Sequence, residues 1–227
     1  MCALQLQSRP FFSLSKIFSR SPSSLPYFST PTRVNYKLKG RALLSSLQEF
    51  HPPNALRRKT NSRLTGGFSL GVDLGLSRTG LALSKGFSVR PLTVLKLRGQ
   101  KLELQLLDVA EREEADEFII GLPKSWDGKE SPQSNKVRSI AGRLAVRAAQ
   151  RGWRVYLVDE HGTSSEAECR MINLGLEKSA RQKSFDAYAA VILLERYFVM
   201  SGENIEIVLP KQVDLQEKLR RGSRPTN

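Results

Sequence analysis

The chain has 227 residues, and 40% of them are hydrophobic, which is sufficient for one folded core. No apolar run is long enough to cross a bilayer, so we expect no membrane partner. Two cysteines exclude a disulfide framework and a thiolate metal site. The formal net charge of +14 is typical of nucleic-acid binding, but residues 1–65 hold 11 Lys or Arg against one acid and residues 66–227 hold 25 against 21, so most of the charge lies outside the folded part.

The N-terminal segment has the composition of an organellar targeting peptide. Residues 1–48 contain no Asp or Glu, are rich in Ser, carry scattered Arg and Lys, and are interrupted by four prolines. We predict a transit peptide and disordered basic segment over residues 1–65 and a chloroplast location, with the mitochondrion as the alternative because residues 11–21 can form a basic amphipathic turn. A disordered tail that binds RNA has the same composition and remains an alternative.

From residue 66 the pattern changes to that of an α/β domain, which we place at residues 66–201. Two short apolar runs, 68–74 and 79–84, are joined by the turn-forming segment GLSR and predict an antiparallel hairpin. Residues 88–97 alternate in polarity and predict a third strand, which Pro91 places at a sheet edge. The first part of the domain is therefore expected to be a three-stranded antiparallel meander.

Helices and buried strands alternate after the meander. Strands are predicted at 117–123 and 153–160, where apolar residues run almost without a break. Helical periodicity predicts one helix over the apolar stripe that begins at Leu102 and others at 134–151, 163–175 and 184–200. The fold class is therefore α/β, with a mixed five-stranded sheet, made of the antiparallel meander and two parallel strands, flanked by helices.

Polar segments mark the helix ends and the C-terminal tail. Thr163 and Glu166 have the spacing of a capping box, so a helix is expected to begin there. The polar, basic residues 178–184 are interpreted as a loop, with Ser184 as the cap of the last helix. Residues 202–227 are predicted to be a C-terminal tail that is partly disordered.

Four acids lie where a site can form. Asp73 ends the first strand, Asp159 and Glu160 end the last one, and Asp186 lies in the expected first turn of the last helix. Because functional groups of open α/β sheets gather at the carboxyl ends of the strands, carboxylates from three elements can meet at one rim. Such oxygen ligands suit Mg²⁺, and two ions about 4 Å apart promote phosphodiester cleavage. Taken singly, each acid is better explained as a turn residue, a strand-end acid or a helix-dipole partner.

Four segments together resemble the YqgF/RuvX family. They are GVDLGLSRTGLALS (71–84), IIGLPKSWDGKES (119–131), VDEHGTSSEAE (158–168) and KSFDAYAAVILLERYF (183–198). They occur in the family's order and span the whole predicted domain. The resemblance implies an RNase H-like fold related to RuvC and a nuclease that uses Mg²⁺ or Mn²⁺.

Carried over residue by residue, the resemblance implies a catalytic and metal-binding set made of Asp73, Glu160 and Asp186. It also implies nucleic-acid contacts at Arg78, Lys124 and Lys183, with the GLP turn and the following Asp-Gly as a loop beside the site. Neighbouring strands lie about 4.8 Å apart, so Glu160, two strands from Asp73, has to reach across the strand between them.

The implied activity is cleavage of structured nucleic acid, with maturation of the 5′ end of a pre-16S rRNA precursor in an organelle as the leading hypothesis. Resolution of Holliday-type branched DNA uses the same carboxylates and stays open, as does a catalytically weak RNA-binding ribosome-assembly factor. The factor gains support because His161 and Gly162 stand where the family has Arg and Leu, which removes a bidentate partner.

A basic helix and the state of assembly are also left open by the sequence. The basic face of residues 134–151 contacts the nucleic-acid backbone or is simply a solvated face; its members are Arg138, Arg143, Arg147 and Arg151. The residues do not distinguish a monomer from a homodimer.

Overall fold

The computed structural model describes residues 50–61, 67–86, 88–201 and 204–221. The transit peptide predicted within the first 65 residues therefore lies, up to residue 49, outside the described residues.

The described strands form one mixed sheet in the order β3-β2-β1-β4-β5-β6. An antiparallel meander is made by β1 (Phe68–Leu74), β2 (Thr79–Lys85) and β3 (Ser88–Leu95), and β4 (Ala115–Leu122) and β5 (Arg154–Asp159) extend the sheet in parallel with β1. This confirms the predicted α/β architecture, including the edge position of β3. The predicted count of five strands is one short, because β6 (Glu206–Ile207), antiparallel to β5, is too brief to produce an alternating pattern.

Six helices accompany the sheet in the described part of the chain. They are α1 (Asn54–Thr60), α2 (Gly99–Arg112), α3 (Pro132–Ala149), α4 (Thr163–Asn173), α5 (Lys178–Val199) and α6 (Val213–Arg221). None of them combines the length and apolar character that a membrane crossing requires.

Both faces of the central strands are covered. On one face, α2 and α3 pack in a cluster that includes Leu70, Val72, Phe118, Ile120 and Leu144. On the other face, α5 packs in a cluster that includes Ile119, Tyr156, Val158, Val191 and Leu194. With both faces covered, polar groups of the inner strands reach solvent mainly at the strand ends, and a site is expected there.

The last long helix begins earlier than predicted. Residues 178–184, interpreted as a loop, are the first turns of α5. Lys, Ala, Arg and Gln are strong helix formers, and no Gly or Pro interrupts the segment, so it extends the helix although it has no apolar stripe. Asp186 therefore lies in the third turn of α5, where a helix-dipole role no longer explains it.

The predicted capping box at the start of α4 is also wrong. The N-cap is Gly162, with φ of 75°, and no side chain caps the helix. The Thr163 hydroxyl instead donates to the carbonyl oxygen of Glu160 at 2.9 Å, and the Glu166 carboxylate pairs with Arg196. Thr163 thus fixes the turn that carries Glu160.

The structure differs from the predicted boundaries at both ends of the domain. In α1, the backbone N–H of Asn54 donates to Glu117 at 3.0 Å and that of Ala55 to the Tyr197 hydroxyl at 3.1 Å. Near the other end, Leu219 of α6 is buried with Phe50. Residues 50–61 and 204–221 therefore belong to the folded unit. Sequence periodicity misses α1 because its anchors are polar contacts to distant parts of the chain.

Candidate active site

Asp73 lies at the carboxyl end of β1, opposite Gly80 of β2. Its side chain is mostly buried, and burial together with the nearby charge of Asp186 raises the pKa of the Asp73 carboxyl to about 7. A carboxyl in this setting is ionised only in part at neutral pH, so it favours any cation that reaches it.

Gly80 allows Asp186 to lie beside Asp73. A Cβ atom on Gly80 would lie 1.9 Å from the carbonyl oxygen of Asp186 and 2.6 Å from the backbone nitrogen of Ala187. Only a glycine therefore lets α5 approach the backbone of β2 this closely. The close approach places the third turn of α5, and the Asp186 carboxylate with it, next to the end of β1.

Gly121 likewise leaves room for Glu160. A Cβ atom on Gly121 would lie 2.1 Å from Glu160 Oε2, so the Glu160 side chain passes over β4 at this glycine. The backbone N–H of Glu160 donates to the carbonyl of Leu122 at 3.3 Å, which ties the residue to the end of β4. Glu160 can thus reach across β4 because Gly121 has no side chain there.

The electrostatics of Glu160 resemble those of Asp73. Burial, together with the charges of Asp73 and Asp159, raises the pKa of the Glu160 carboxyl to about 7. Repulsion therefore links Glu160 to Asp73 and Asp73 to Asp186. The structure brings the three predicted acids together pairwise, with Asp73 in the middle.

The candidate ligands suit a hard divalent cation, although they do not converge on one point. All three candidate ligands are carboxylates, and Asp186 Oδ2 is buried without an aligned hydrogen bond. Arg78 Nε lies 2.9 Å from this oxygen and makes an ion pair whose geometry falls short of a hydrogen bond. Among the described residues, no three His, Cys, Asp or Glu side chains converge closely enough to hold a metal ion. Binding of a cation therefore requires these side chains to move closer together.

Basic side chains surround Arg78 beside the acids. Two adjoining open pockets, of about 480 and 370 Å³, share Arg78 and Gln182 in their walls. Their other basic lining residues are Lys96, Lys178, Arg181 and Lys183. The family motifs identify only Arg78 and Lys183 of this group, because the remaining residues lie outside these motifs or in the segment interpreted as a loop.

The other predicted nucleic-acid contacts have partners inside the protein. Lys124 forms an ion pair with Asp159 at 3.6 Å. On α3, Arg138 pairs with Glu130 and Glu206, and the buried carboxylate of Glu103 pairs with Arg143 and Arg147. These ion pairs neutralise much of the basic face of α3, so the pockets around Arg78 are the better candidates for binding phosphates.

His161 and Gly162, which replace the Arg and Leu expected from the family, form the turn between β5 and α4. The His161 side chain is exposed, and its backbone N–H donates to Asp159 at 2.9 Å. The Arg196 guanidinium, from α5, binds the His161 carbonyl and the Glu166 carboxylate. An arginine thus stabilises this turn, but it is Arg196 of α5 and not a residue of the turn itself.

A sequence profile of the RuvX family, described as "Holliday junction resolvase", matches residues 67–200. The chain belongs to the RuvX family. The predicted membership of the YqgF/RuvX family is thereby confirmed, and the match covers every residue of the predicted acidic site. The family description also agrees with the enzyme class predicted for this chain, which is a hydrolase of phosphodiester bonds.

Curated relatives of this RuvX-family chain carry one recurring name. A protein of Nocardioides sp. (strain JS614) is 37% identical over 135 residues, which cover 57% of this chain and 85% of the relative. A protein of Cronobacter sakazakii is 32% identical over 139 residues, which cover 60% of this chain and 99% of the relative. Both are named "Putative pre-16S rRNA nuclease".

Solved structures with a similar fold include two Holliday junction enzymes. Thermus thermophilus RuvC, in complex with a Holliday junction substrate, has a TM-score of 0.41 and 18% identity and covers 60% of this chain and 98% of its own. The yeast mitochondrial Holliday junction resolvase Ydc2 has a TM-score of 0.35 and 15% identity, with coverages of 72% and 98%. Because these TM-scores and identities are low, the fold is assigned from the sheet topology and the family from the profile match.

Proposed function

We propose that this protein is a metal-dependent nuclease that hydrolyses phosphodiester bonds in structured RNA and processes the 5′ end of a pre-16S rRNA. The observation that carries the proposal is the pair of buried carboxyls, Asp73 and Glu160, held at one rim of the sheet with their pKa raised to about 7. Uncompensated burial of this kind is costly, and functional sites are where proteins retain it.

In this proposal Asp73, Glu160 and Asp186 hold Mg²⁺ or Mn²⁺. Bound cations neutralise charge on the scissile phosphate and promote attack by water. Gly80 and Gly121 position two of the ligands by leaving room for α5 and for the Glu160 side chain. Arg78 lies between the acids and the basic pockets, so it can exchange the Asp186 carboxylate for a phosphate of the substrate.

The strand backbone is proposed to run through the pockets beside Arg78. Lysine and arginine side chains there provide the sequence-independent contacts that hold a phosphate chain. They come from the end of the meander and from the first turns of α5, and they are Lys96, Lys178, Arg181 and Lys183. The substrate strand then reaches Asp186 directly from the start of α5.

The choice of RNA is supported by the shared name of the curated relatives, and the description of the family supports a second candidate, resolution of branched DNA. Side-by-side cleavage assays separate the two. The full chain is incubated with a pre-16S rRNA precursor and with a four-way DNA junction, with and without Mg²⁺. We expect metal-dependent cleavage at the 5′ side of the precursor and little cleavage of the junction.

The control variants for this assay are Asp73→Asn and Asp108→Asn. Asp73→Asn removes one charge at the centre of the acidic site and is expected to abolish cleavage. Asp108→Asn alters an exposed acid of α2 that pairs with Arg112, and it is expected to cleave as the wild type does. If neither substrate is cut, or if Asp73→Asn cuts as well as the wild type, the proposed nuclease is refuted.

We also propose that the protein acts in a chloroplast, with the mitochondrion as the alternative. The acid-free, Ser-rich composition of residues 1–48 supports import. Phe50 packs with Ala149 and Leu219, so removal of a targeting peptide has to leave Phe50 in place. N-terminal sequencing of protein recovered from isolated organelles tests this: the expected first residue lies before Phe50, and recovery of the intact chain outside organelles refutes it.

A further inference from the structure

Trp126 projects into solvent beside the acidic site. Its side chain is 90% exposed, the highest value among the large hydrophobic side chains of the described residues. The other tryptophan of the chain, Trp153, is half-buried and packs against Phe118, with ring centroids 6.3 Å apart. An exposed indole offers a flat apolar face and a polar N–H that a ligand can cover in a complex.

A hydrogen-bonded hairpin holds the backbone of Trp126 in place. Lys124 and Glu130 form a β-bridge at its base, and the Ser125 N–H donates to the Lys129 carbonyl at 2.9 Å. The Gly128 N–H closes a turn on the Ser125 carbonyl at 2.8 Å, with Trp126 as the first of its two central residues. The ring is thus presented on an ordered backbone, which lowers the entropy that binding has to overcome.

The hairpin leads directly out of the strand that Glu160 crosses. Gly121, over which the Glu160 carboxylate lies, is followed by Leu122 at the end of β4. Four peptide units separate Leu122 from Trp126, so their Cα atoms are at most about 14 Å apart. Lys124, paired with Asp159 at 3.6 Å, fastens the hairpin to the same rim. Trp126 therefore lies within a few nucleotides of a phosphate held at the acids.

The surroundings of the ring indicate what covers it. The residues next to it in the hairpin carry no apolar side chain: Ser125, Asp127, Gly128 and Lys129. A protein interface needs further apolar contacts around such an anchor to exclude water. A nucleobase needs only the flat face of one ring, and stacking accepts any base. The basic pockets around Arg78 already provide for the phosphates of a strand that passes the acids.

We propose that Trp126 stacks on an unpaired base close to the scissile phosphate. This assignment rests on the proposed function, and it narrows the substrate to nucleic acid that presents a single-stranded nucleotide at the cleavage point. A continuous duplex keeps its bases stacked on one another and offers the ring no free face.

Tryptophan fluorescence tests the assignment without any cleavage. The full chain carrying Asp73→Asn and Trp153→Phe has Trp126 as its only tryptophan, because the chain contains two, and the new phenylalanine keeps a ring against Phe118. It is titrated with a short single-stranded RNA and with a duplex of the same sequence. We expect the single strand to quench Trp126 and the duplex to leave it bright. Equal quenching by both, or none by either, overturns the assignment.

Affinity gives a second measurement that separates stacking from a structural role. In the Asp73→Asn chain, adding Trp126→Ala is expected to weaken binding of the single strand by about 5- to 100-fold, whereas adding Trp126→Phe retains most of it. Val199→Ala removes another exposed apolar side chain, 83% exposed at the end of α5, and is expected to bind unchanged. A Trp126→Ala chain that binds RNA as tightly as its parent overturns stacking.

These results are distinct from those that test the nuclease. Absence of cleavage by the wild type, together with single-strand quenching of Trp126, refutes the nuclease and supports the stacking site. Normal cleavage by the otherwise wild-type Trp126→Ala chain, with unchanged KM, refutes the stacking site and leaves the nuclease in place.

Discussion

Buried carboxylates lie at both ends of the sheet, in opposite electrostatic settings. At the amino ends of the parallel strands, Glu117 is fully buried and accepts hydrogen bonds from the Ser69 hydroxyl at 2.6 Å, the Tyr197 hydroxyl at 2.8 Å and the Asn54 N–H at 3.0 Å. Arg154, only 1% exposed, lies 3.8 Å from it. Burial raises the pKa of Glu117, and the charge of Asp116 adds to the rise, whereas Arg154 and the hydrogen bonds from Ser69 and Asn54 oppose it.

At the carboxyl ends, Asp73 and Glu160 have acids as neighbours. Arg78, the basic residue beside them, pairs with Asp186. Burial and mutual repulsion then raise the pKa of both carboxyls to about 7. One end of the sheet compensates its buried charge and the other does not. The compensated end therefore stabilises the fold, whereas the uncompensated end suits a ligand that brings positive charge.

The largest effect is expected at the compensated end. Glu117→Ala leaves the buried Arg154 guanidinium with Asp116 as its remaining carboxylate partner, at 2.7 Å, and strands three hydrogen-bond donors. We expect a loss of about 3–5 kcal/mol in the free energy of unfolding, measured by urea denaturation. Glu114→Ala removes an exposed acid paired with Lys85 and is expected to cost less than about 0.5 kcal/mol. Equal costs for the two variants contradict the structural role of Glu117.

The opposite sign is expected at the acidic site. Since the folded pKa of Asp73 is raised, the native state holds its proton where the unfolded chain has lost it, so this residue lowers stability as the pH rises from about 4 through about 7. Asp73→Asn removes that loss. Without metal at pH 8 we expect it to stabilise the protein by about 4 kcal/mol, because the folded pKa lies about three units above the unfolded one and each unit corresponds to about 1.4 kcal/mol; at pH 4 we expect little effect.

Thermal unfolding of the wild type and Asp73→Asn at both pH values, in the presence of a chelator, measures this difference. A destabilised Asp73→Asn protein at pH 8 shows that Asp73 is compensated in the fold, and the contrast between the two ends then fails.

A third test moves Glu160 without removing its charge. In Gly121→Ala the new methyl group collides with the Glu160 carboxylate, which can swing away at little cost in stability because it is the end of a flexible side chain. We expect kcat to fall at least about tenfold, equivalent to about 1.4 kcal/mol in the barrier, with the unfolding midpoint nearly unchanged. Gly142→Ala, in α3, meets nothing within 4 Å and serves as the matched control with normal activity. Full activity of Gly121→Ala removes Glu160 from the site.

The smallest effects are expected in the basic pockets. Arg181→Ala and Lys183→Ala each remove one charge from their walls, so the slope of log affinity against log salt for RNA is expected to shrink by about 0.7 to 0.9 per substitution. Arg112→Ala removes an arginine paired with Asp108 on α2 and is expected to leave the slope unchanged. If all three variants share the wild-type slope, the substrate strand does not pass through the pockets.

The sequence predicted the framework well because apolar patterns dominate it. Strands β1, β2, β4 and β5 are continuous apolar runs that have no other stable place than the inside of a sheet. Asp73 and Glu160 were selected because they directly follow such runs, and the structure places them on one rim. The site could be predicted because the apolar runs show where each strand ends.

Contacts between distant residues account for what was missed. Gly80 and Gly121 were visible as glycines inside strands, but which side chain needs the space depends on how α5 and β5 pack. The anchors of α1 on Glu117 and Tyr197 are polar and span more than sixty residues of sequence, so no local pattern reports them. Exposure of Trp126 likewise depends on the hairpin that carries it.

Cation binding tests most directly whether the uncompensated acids form a metal site. Isothermal titration of the full chain with Mn²⁺ at pH 7, in two buffers of different ionisation heat, measures both affinity and protons released. Because Asp73 and Glu160 have pKa values of about 7, we expect binding by the wild type with release of protons, and no such binding by Asp73→Asn. No binding by the wild type, or the same binding and proton release in both proteins, would contradict the account.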